Sequence, residues 1–494
     1  MRAIAFASLG LFASLLSSCL PPVSAAGASA LNGIHVSGNE LVDGDGMRIR
    51  LIGVNRSGTE YACIRGWGIF EGPADAASTE VIRSWHANAV RLGLNEDCWL
   101  GINGVDSTYG GVNYQRAVIH YVNELTANGI YAIVDLHWSA PGTVSATSMR
   151  AMPDVDHSSA LWKSVATAFA DNPNVLFDIF NEPFGVAWDC WRDGCVYPGG
   201  ADTGPWQTVG TQSLVNTIRA TGATQPILLG GLAFANDLSE WRSHEPEDPL
   251  DQLVASFHVY PFNPCNDPAC WDDQIAPLAA VVPIIVGEVG TDWTPPFTDA
   301  MALELMHWAD QHRLGYLGWT WNTWGGGDSL LTNYAGESTS WGADFKAHLV
   351  QVAVPRVRLL IDANRAYAHQ KVETAIDLYE QAINTPASEE ESALISAAID
   401  GVAGFREIVG LTATGHEEEA RRRLTFLAER DPDAPLVRLA AQFWDQYGMT
   451  GSVRAACAQL APQVESQAGA VLTTLRSLGV DLRHDELCVL PQVF

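Results

Sequence analysis

The sequence predicts an α/β fold: a (β/α)8 TIM barrel with an N-terminal β-hairpin, followed by a C-terminal all-helical accessory domain. Eight short apolar runs recur between residues 50 and 322, and segments able to form helices separate most of them. Such runs are typical of strands that are buried on both faces of a parallel sheet. Only one of the 17 tryptophans, Trp444, lies beyond residue 351, so the composition changes where the barrel is expected to end.

Length and charge exclude several classes of protein. The chain has 494 residues, of which 47% are hydrophobic, so it is not intrinsically disordered as a whole. Its 28 basic and 57 acidic residues give a formal charge of −29. Nucleic acids and anionic membrane surfaces need clusters of Lys and Arg, so neither is an expected partner. We expect a neutral substrate.

Residues 1–25 have the pattern of a signal peptide. Arg2 precedes an apolar stretch over residues 3–16 that is too short to span a bilayer, and small residues up to Ala25 suit cleavage there. Residues 16–19 also resemble a bacterial lipobox, which would leave Cys19 as a lipid anchor; the alternative is that Cys19 is removed with the signal. No later transmembrane helix is expected. The sequence therefore predicts a secreted or cell-surface protein.

Eight cysteines remain after Cys19, an even number that favours disulfides in an exported chain. Zinc is the competing interpretation, but the close pairs are separated by four residues instead of two and no second ligand pair follows. The candidate pairs are Cys63 with Cys98, Cys190 with Cys195, Cys265 with Cys270, and Cys457 with Cys488.

The elements follow in order along the chain. Period-two alternation on both sides of the turn at residues 43–46 predicts the hairpin over 34–51. The eight predicted strands are 50–55, 87–94, 130–138, 175–183, 226–232, 253–260, 283–290 and 315–322. Helical spacing or caps predict helices at 79–88, 114–128, 159–171, 206–221 and 298–313. A doubly wound open sheet is the alternative, but no phosphate-binding glycine motif follows the first strand.

Residues 352–494 predict six further helices and no strand. Two segments, at 375–382 and 420–432, resemble the second helix of a tetratricopeptide repeat, although they lie 45 residues apart instead of the usual spacing of about 34. The domain boundaries that we expect are therefore 31–351 for the barrel and 352–494 for the helical accessory domain.

Polar and aromatic side chains collect where the predicted strands end. In a parallel barrel those C-terminal ends form one mouth, where reactive groups lie. Glu182 lies near the end of the fourth predicted strand and Glu288 near the end of the seventh, so both carboxylates are expected to point into this mouth. Two facing carboxylates are the minimum needed to cleave an acetal. The remaining candidates are Arg91, His137, Trp138, Asn181, His258, Tyr260, Trp319 and Trp321.

These residues resemble glycoside hydrolase family 5, a cellulase-like family of barrels, over residues 31–350. The resemblance rests on Asn181-Glu182-Pro183, on Gly287-Glu288, and on the ordered set of strand ends. It implies that Glu182 is the general acid/base and that Glu288 is the nucleophile of a retaining enzyme. Arg91 and Tyr260 would hydrogen-bond to the nucleophile.

The same resemblance implies roles for the other candidates. Asn181 would bind the sugar 2-hydroxyl, and His137 and His258 would line the subsite or orient the acid. Trp138 is expected among the substrate-binding residues. Trp321 fits the platform under the reacting sugar, and Trp319 is the alternative for that position. No cofactor and no metal are expected.

Elementary electrostatics supports two different roles for the two acids. The negative charge of Glu288 is expected to raise the pKa of Glu182, whereas Arg91 lowers that of Glu288. Retention requires carboxyl groups about 5–5.5 Å apart. Seven tryptophans, Trp138 among them, lie in or beside loops of the mouth, where they either pack or stack on sugar rings: Trp67, Trp99, Trp138, Trp188, Trp191, Trp271 and Trp324.

The sequence thus predicts a secreted retaining β-glycoside hydrolase acting on β-1,4-glucan-like polysaccharide or oligosaccharide. Mannan, xylan-type or exo-acting specificity is an alternative within the same class. A carbohydrate-binding barrel without activity, with the helical tail as an interaction module, is the alternative from another class.

Overall fold

The computed structural model describes residues 31–353 except 293, 294 and 296. Eight parallel strands close into a barrel, as predicted. They are β4 (Ile52–Arg56), β5 (Ala89–Asn95), β6 (Tyr131–Trp138), β7 (Val175–Asp178), β10 (Ile227–Gly230), β11 (Leu253–Val259), β12 (Ile284–Val289) and β13 (Gly315–Gly318). The strands pair in this order around the barrel, and β13 closes it against β4.

Each of the eight predicted apolar runs coincides with one barrel strand to within a few residues at either end. Nearly every strand residue is buried, because the outer face packs on helices while the inner face fills the barrel. The first strand begins two residues later than predicted, because Arg50 and Leu51 lie between β3 (Arg48–Ile49) and β4.

The N-terminal hairpin is extended by one strand. The predicted turn at 43–46 joins β2 (Glu40–Asp43) to β3, and β1 (Ile34–Ser37) pairs antiparallel with the other edge of β2. Ile34 and Leu41 from this sheet pack with inward-facing residues near the N-terminal ends of the barrel strands, such as Ile133 and Leu176. The sheet therefore closes the barrel floor and leaves the opposite end as the mouth.

Helices surround the barrel and bury their apolar faces against it. They are α1 (Ala76–Ser84), α2 (Glu96–Leu100), α3 (Val112–Ala127), α4 (Ser158–Phe169), α5 (Trp188–Asp193), α6 (Thr211–Arg219), α7 (Leu232–Ala235), α8 (Pro268–Cys270), α9 (Ala276–Ala279), α10 (Ala300–Gln311) and α11 (Ser340–Ala353). A π-helical turn, Trp271–Ile275, joins α8 to α9. α7 is a short turn with left-handed backbone and not a regular helix.

The five predicted helices within the barrel are present, with one clear shift. The segment 206–221 does not begin as a helix, because Trp206 and Gln207 form β9 (Trp206–Gln207) against β8 (Val196–Tyr197). The helix α6 begins only at Thr211. Asp75 begins α1 with a reciprocal capping box shared with Ser78, a start signal that the sequence prediction placed a few residues too late.

Several predictions lie outside the described residues. These are the signal peptide over 1–25, the lipobox at Cys19, the pair Cys457 and Cys488, and the helical domain over 352–494 apart from its first two residues, which end α11. Within the described part of the chain, no helix combines the length and the apolarity that crossing a membrane requires.

Candidate active site

Inward-facing side chains change from apolar to polar along the barrel strands β6 and β7. Ile133, on β6, belongs to the apolar floor, whereas Asp135 and His137 on the same face lie nearer the mouth. Leu176 and Asp178 repeat this change on β7. Because side chains alternate with period two, one face of each strand supplies both the floor and the site.

A β-bulge turns Glu288 into the barrel. Along β12, Ile285 packs in the inner cluster, whereas Val286 packs in the outer one. Strict alternation would then send residue 288 outwards. The register with β11 shifts, however, so that His258 lies beside Glu288 and one residue of β12, Gly287, is left unpaired. A Cβ at Gly287 would lie 2.6 Å from Ser256 Oγ, so glycine is needed where the bulge passes β11.

Arg91 holds the polar layer together from β5. Its Nε donates to Asp178 Oδ2 at 2.8 Å, and its Nη1 donates to Glu288 Oε1 at 2.8 Å. Its Nη2 donates to Asn181 Oδ1 at 2.8 Å and lies 3.1 Å from Asp135 Oδ2. The guanidinium is buried, so it positions these groups with little freedom to move.

Burial and charge attraction act in opposite directions on the ionisable groups around Arg91. Burial raises the pKa of Asp135 to about 7 and that of Asp178 to about 7, while the Arg91 charge acts in the opposite direction. Burial of Arg91 disfavours its own charge, but Asp135, Asp178 and Glu288 outweigh burial and raise its pKa. One permanent cation therefore faces three carboxyl groups in a site without bulk water, which favours keeping a proton among them.

Glu182 and Glu288 face each other across the mouth. One carboxylate oxygen of Glu182 lies within 4.8 Å of one of Glu288. Tyr260 donates its hydroxyl proton to Glu288 Oε2 at 2.6 Å. His258 Nδ1 forms a hydrogen bond with Glu182 Oε1 at 3.0 Å. The side chain of Glu182 is 11% exposed and that of Glu288 is 4% exposed, so Glu182 has the better access to the opening.

The two carboxyl groups differ in acidity. Burial, followed by the negative charge of Glu288, raises the pKa of Glu182 well above its ordinary value. Burial raises the pKa of Glu288 too, but the Arg91 charge and the Tyr260 hydrogen bond oppose this. Burial lowers the pKa of His258 well below its ordinary value, so its imidazole is neutral. Glu182 is therefore the group that keeps a proton at higher pH.

The indole of Trp319 lies parallel to the imidazole of His137 across the mouth. It follows β13 and stacks on His137, with ring centroids 5.7 Å apart and planes 7° from parallel. Hydrogen bonding between His137 Nδ1 and Asp135 Oδ2 at 2.6 Å fixes that imidazole. Trp138, at the end of β6, is half-buried beside the mouth. These aromatic rings suit the flat apolar faces of sugar rings.

The expected platform residue is corrected by the structure. Trp321 is 2% exposed and packs edge-on against Trp85, with centroids 4.8 Å apart, in the layer between barrel and helices. Its backbone N donates to Asn55 O of β4 at 2.7 Å. Trp321 thus has no face for a sugar, whereas half-buried Trp319 does. The two residues are separated by one position, so strand parity alone could not distinguish them.

Sequence reasoning did not select four buried polar residues in or beside this site: Asn55, Glu60, Asp135 and Asp178. Asp135 lies two residues before His137, so the period of the strand was a usable signal. Glu60 carried no such signal, because it lies in the loop after β4. Its pKa is raised by burial, and its charge acts on His137.

Three disulfides stiffen loops around the mouth, at the predicted pairs. They join Cys63 to Cys98, Cys190 to Cys195, and Cys265 to Cys270. The loop tryptophans fall into two groups, one exposed and able to stack on sugars and one packed in the interior. Trp67 is 66% exposed and Trp324 is 48% exposed, while four others are buried. The buried ones are Trp99, Trp188, Trp191 and Trp271.

Two clusters among the described residues have the donor types of a metal site. One is Glu182, His258 and Glu288, and the other is His307, Asp310 and His348 near α10 and α11. In the first cluster, hydrogen bonds and the Arg91 cation already occupy carboxylate oxygens of both acids. In the second, Arg50 forms an ion pair with Asp310. Both arrangements suit protons and ion pairs better than a bound cation.

Comparison with known proteins identifies a family and several relatives. A family model described as cellulase (glycosyl hydrolase family 5) matches residues 42–325. Endoglucanase MaCel5A of Microbulbifer sp. (strain ALW1) is 24% identical over 63% of this chain and 54% of its own length. A mannan endo-1,4-beta-mannosidase of Streptomyces lividans is 28% identical over 69% of this chain and 79% of its own. The chain thus spans about half the length of the first relative.

Among solved structures, the native form of beta-glucanase SdGluc5_26A from Saccharophagus degradans is similar to this chain. The TM-score is 0.51 at 19% identity, and the match covers 66% of this chain and 95% of that chain. At this identity the likeness concerns the fold, and it agrees with the closed barrel.

Proposed function

The chain belongs to glycosyl hydrolase family 5, and we propose from this premise that it is a retaining β-glycoside hydrolase of β-1,4-linked polysaccharide. The observation that carries the proposal is the separation of at most 4.8 Å between carboxylate oxygens of Glu182 and Glu288. Carboxyl groups about 5–5.5 Å apart suit double displacement, whereas inversion needs about 6.5–9.5 Å for a water between them.

Glu288 is the proposed nucleophile. Its oxygens accept hydrogen bonds from Arg91 and Tyr260, which favour the charged form and aim the carboxylate. In the first step, Glu288 attacks the anomeric carbon while the bond from that carbon to the leaving oxygen breaks. The product is a glycosyl ester on Glu288, and the electron pair of the broken bond goes to the leaving oxygen.

Glu182 is the proposed acid/base. It gives its proton to the leaving oxygen in the first step, which its raised pKa permits near neutral pH. Formation of the ester removes the charge of Glu288, so one cause of that raised pKa disappears. Glu182 then accepts a proton from water as the water attacks the anomeric carbon, and Glu288 leaves as a carboxylate. His258 positions Glu182 through its hydrogen bond at Nδ1.

The proposed substrates are glucan and mannan chains with β-1,4 linkages. The relatives include endoglucanases and mannan endo-1,4-beta-mannosidases. Glucose and mannose differ only in the orientation of the 2-hydroxyl. Asn181, whose Oδ1 is held by Arg91, is the proposed partner of this hydroxyl. We further propose that the protein works outside the cytoplasm, supported by three disulfides and the apolar leader.

The test compares Glu182→Gln and Glu288→Gln on polysaccharides and on an aryl β-glycoside with a reactive leaving group. Glu288→Gln is expected to lose turnover of every substrate. Glu182→Gln is expected to lose polysaccharide hydrolysis by about 10²–10⁴-fold. It should still release the aryl group in an initial burst, because that group needs little protonation to leave.

Glu80→Gln is the matched control, since Glu80 is an exposed residue of α1 paired with Arg83. A 2-deoxy-2-fluoro glycoside should label Glu288, as found by mass spectrometry of its peptide, and NMR should show the β anomer first. Equal activity of Glu288→Gln and wild type, or a first-formed α anomer, contradicts the proposal. A panel of glucan, mannan and xylan identifies the preferred sugar.

A further inference from the structure

The loop after β10 contains three consecutive left-handed residues that are not glycine. Ala233, Phe234 and Ala235 have φ values of 53°, 62° and 57°. Such values are uncommon for residues with a Cβ, and a run of three is unfavourable compared with ordinary turns. Residues of this kind persist only where the surrounding structure imposes them, and they concentrate at ligand-binding positions.

Buried contacts impose this conformation. Leu232 and Asp237 exchange two backbone hydrogen bonds of 3.0 and 2.9 Å, which close the loop. The buried Asn236 side chain donates to His258 O at 2.8 Å and accepts from Cys265 N at 2.8 Å. The turn is thereby anchored to β11 and to the loop that contains the Cys265–Cys270 disulfide.

The result of this anchoring is an exposed aromatic ring next to the proposed acid. Phe234 is 42% exposed, and its backbone N donates to Pro183 O at 3.0 Å. Pro183 directly follows Glu182. The ring of Phe234 stacks on Phe184, with centroids 4.6 Å apart and planes 16° from parallel. Burying this ring in the core would be the ordinary outcome, so the turn keeps it at the mouth against both backbone preference and hydrophobic burial.

We propose that the stacked Phe184 and Phe234 rings bind the sugar that departs beside Glu182. The proposal rests on the proposed function, because it takes Glu182 as the acid that protonates the leaving oxygen. The sugar attached to that oxygen lies on the side of the acid, where these two rings lie. Its flat C–H face suits an aromatic surface.

A second aromatic group lies on the opposite side of the acid pair. Phe184 and Phe234 follow the neighbouring strands β7 and β10, whereas Trp319 and Trp324 follow β13. Four steps around the eight-stranded barrel separate β13 from β7, so the two groups face each other across the mouth. A chain that crosses the mouth therefore has an aromatic surface on both sides of the bond to be cleaved. This arrangement favours cleavage inside a polysaccharide over removal of terminal sugars.

The test uses Phe234→Gly and compares two substrates. One is the polysaccharide that the wild type hydrolyses best, and the other is an aryl β-glycoside of the matching disaccharide, which has no leaving sugar. We expect kcat/KM on the polysaccharide to fall about five- to tenfold, the effect of losing one buried ring face. On the aryl glycoside it should change by less than about twofold, since no contact with the departing group is lost.

Two further variants distinguish the ring from the backbone. Glycine accepts left-handed φ, so Phe234→Gly should fold and should not lower the melting temperature. Ala233→Gly relaxes the same turn and leaves the ring in place, so it should keep polysaccharide activity. Phe234→Trp replaces the ring with another aromatic ring, so it should have the polysaccharide activity that Phe234→Gly lacks. Transfer of the glycosyl group to an added oligosaccharide, which must bind where the leaving sugar left, should fall in Phe234→Gly in parallel with polysaccharide hydrolysis.

The outcomes separate the two proposals. Selective loss on the polysaccharide, with rescue by tryptophan, supports the binding role of the two rings. Equal loss on both substrates, or no loss on either, overturns it while the proposed function stands. A wild-type protein that hydrolyses no β-glycoside overturns the proposed function itself, and with it this inference.

Discussion

Tyr260→Phe tests how the site keeps Glu288 charged, because it removes one hydroxyl group and little else. That hydroxyl donates to Glu288 Oε2 at 2.6 Å. The phenyl ring that remains can keep its stacking on Phe262, with centroids 5.3 Å apart. Tyr260 is 4% exposed, so water does not readily replace the lost donor.

The expected loss follows from this single contact. A hydrogen bond to a charged group contributes about 1.5–3 kcal/mol, which corresponds to a decrease of about 10–150-fold in kcat/KM. The pH dependence should change as well. Burial already raises the pKa of Glu288, and loss of the Tyr260 donor raises it further. The acidic limb of the pH profile, where the nucleophile gains a proton, should therefore move to higher pH.

The assay measures kcat/KM for a polysaccharide and an aryl β-glycoside across the acidic and neutral range. Tyr316→Phe is the matched control, since its hydroxyl contacts Asp310 Oδ1 at 3.2 Å, away from the mouth. The control should lose about 1 kcal/mol of stability and keep its turnover. An unchanged kcat/KM for Tyr260→Phe together with an unmoved acidic limb would refute the reasoning.

Two other predictions concern different parts of the barrel. Trp319→Ala should lower polysaccharide kcat/KM about tenfold with little change in denaturant midpoint. Trp321→Ala should cost about 3–5 kcal/mol of stability, because a buried ring is lost. Similar effects of the two substitutions on stability would contradict the assignment of Trp319 to the mouth and Trp321 to the core. Burial and the nearby charge of Asp154 raise the pKa of Glu96 well above its ordinary value. The contribution of Glu96 to the free energy of unfolding is therefore complete at low pH and is lost as pH rises through its folded-state pKa. Melting temperatures across that range should therefore fall less for Glu96→Gln than for wild type, and parallel curves would disprove this.

The local pattern of apolar residues predicted much of the fold. Barrel strands are buried on both faces, so they are nearly continuous apolar runs, and each predicted run overlaps one strand. Short segments were harder to place. Trp206 and Gln207 form a two-residue ladder with the chain at Val196, a contact that no local preference specifies.

The sequence also indicated where polar groups would gather, but not how they would be aimed. Glu288 reaches the barrel interior only because Gly287 is left unpaired in a β-bulge. Asp135 and Asp178 are brought to one guanidinium by the register of β6 and β7. Those relations join residues far apart in the chain, and a single sequence does not encode them in any one segment.

By itself, the amino-acid sequence determined the repeating strands and the two close cysteine pairs, Cys190 with Cys195 and Cys265 with Cys270, and it suggested Glu182 and Glu288 as the catalytic acids. The physical reason is that burial on both faces of a strand, and short spacing between cysteines, leave local marks in composition. Only the tertiary structure decided that Trp319 and not Trp321 faces the mouth, and that Phe234 lies exposed beside the proposed acid. Those outcomes depend on packing and on backbone conformation imposed by distant contacts, which have no local signature.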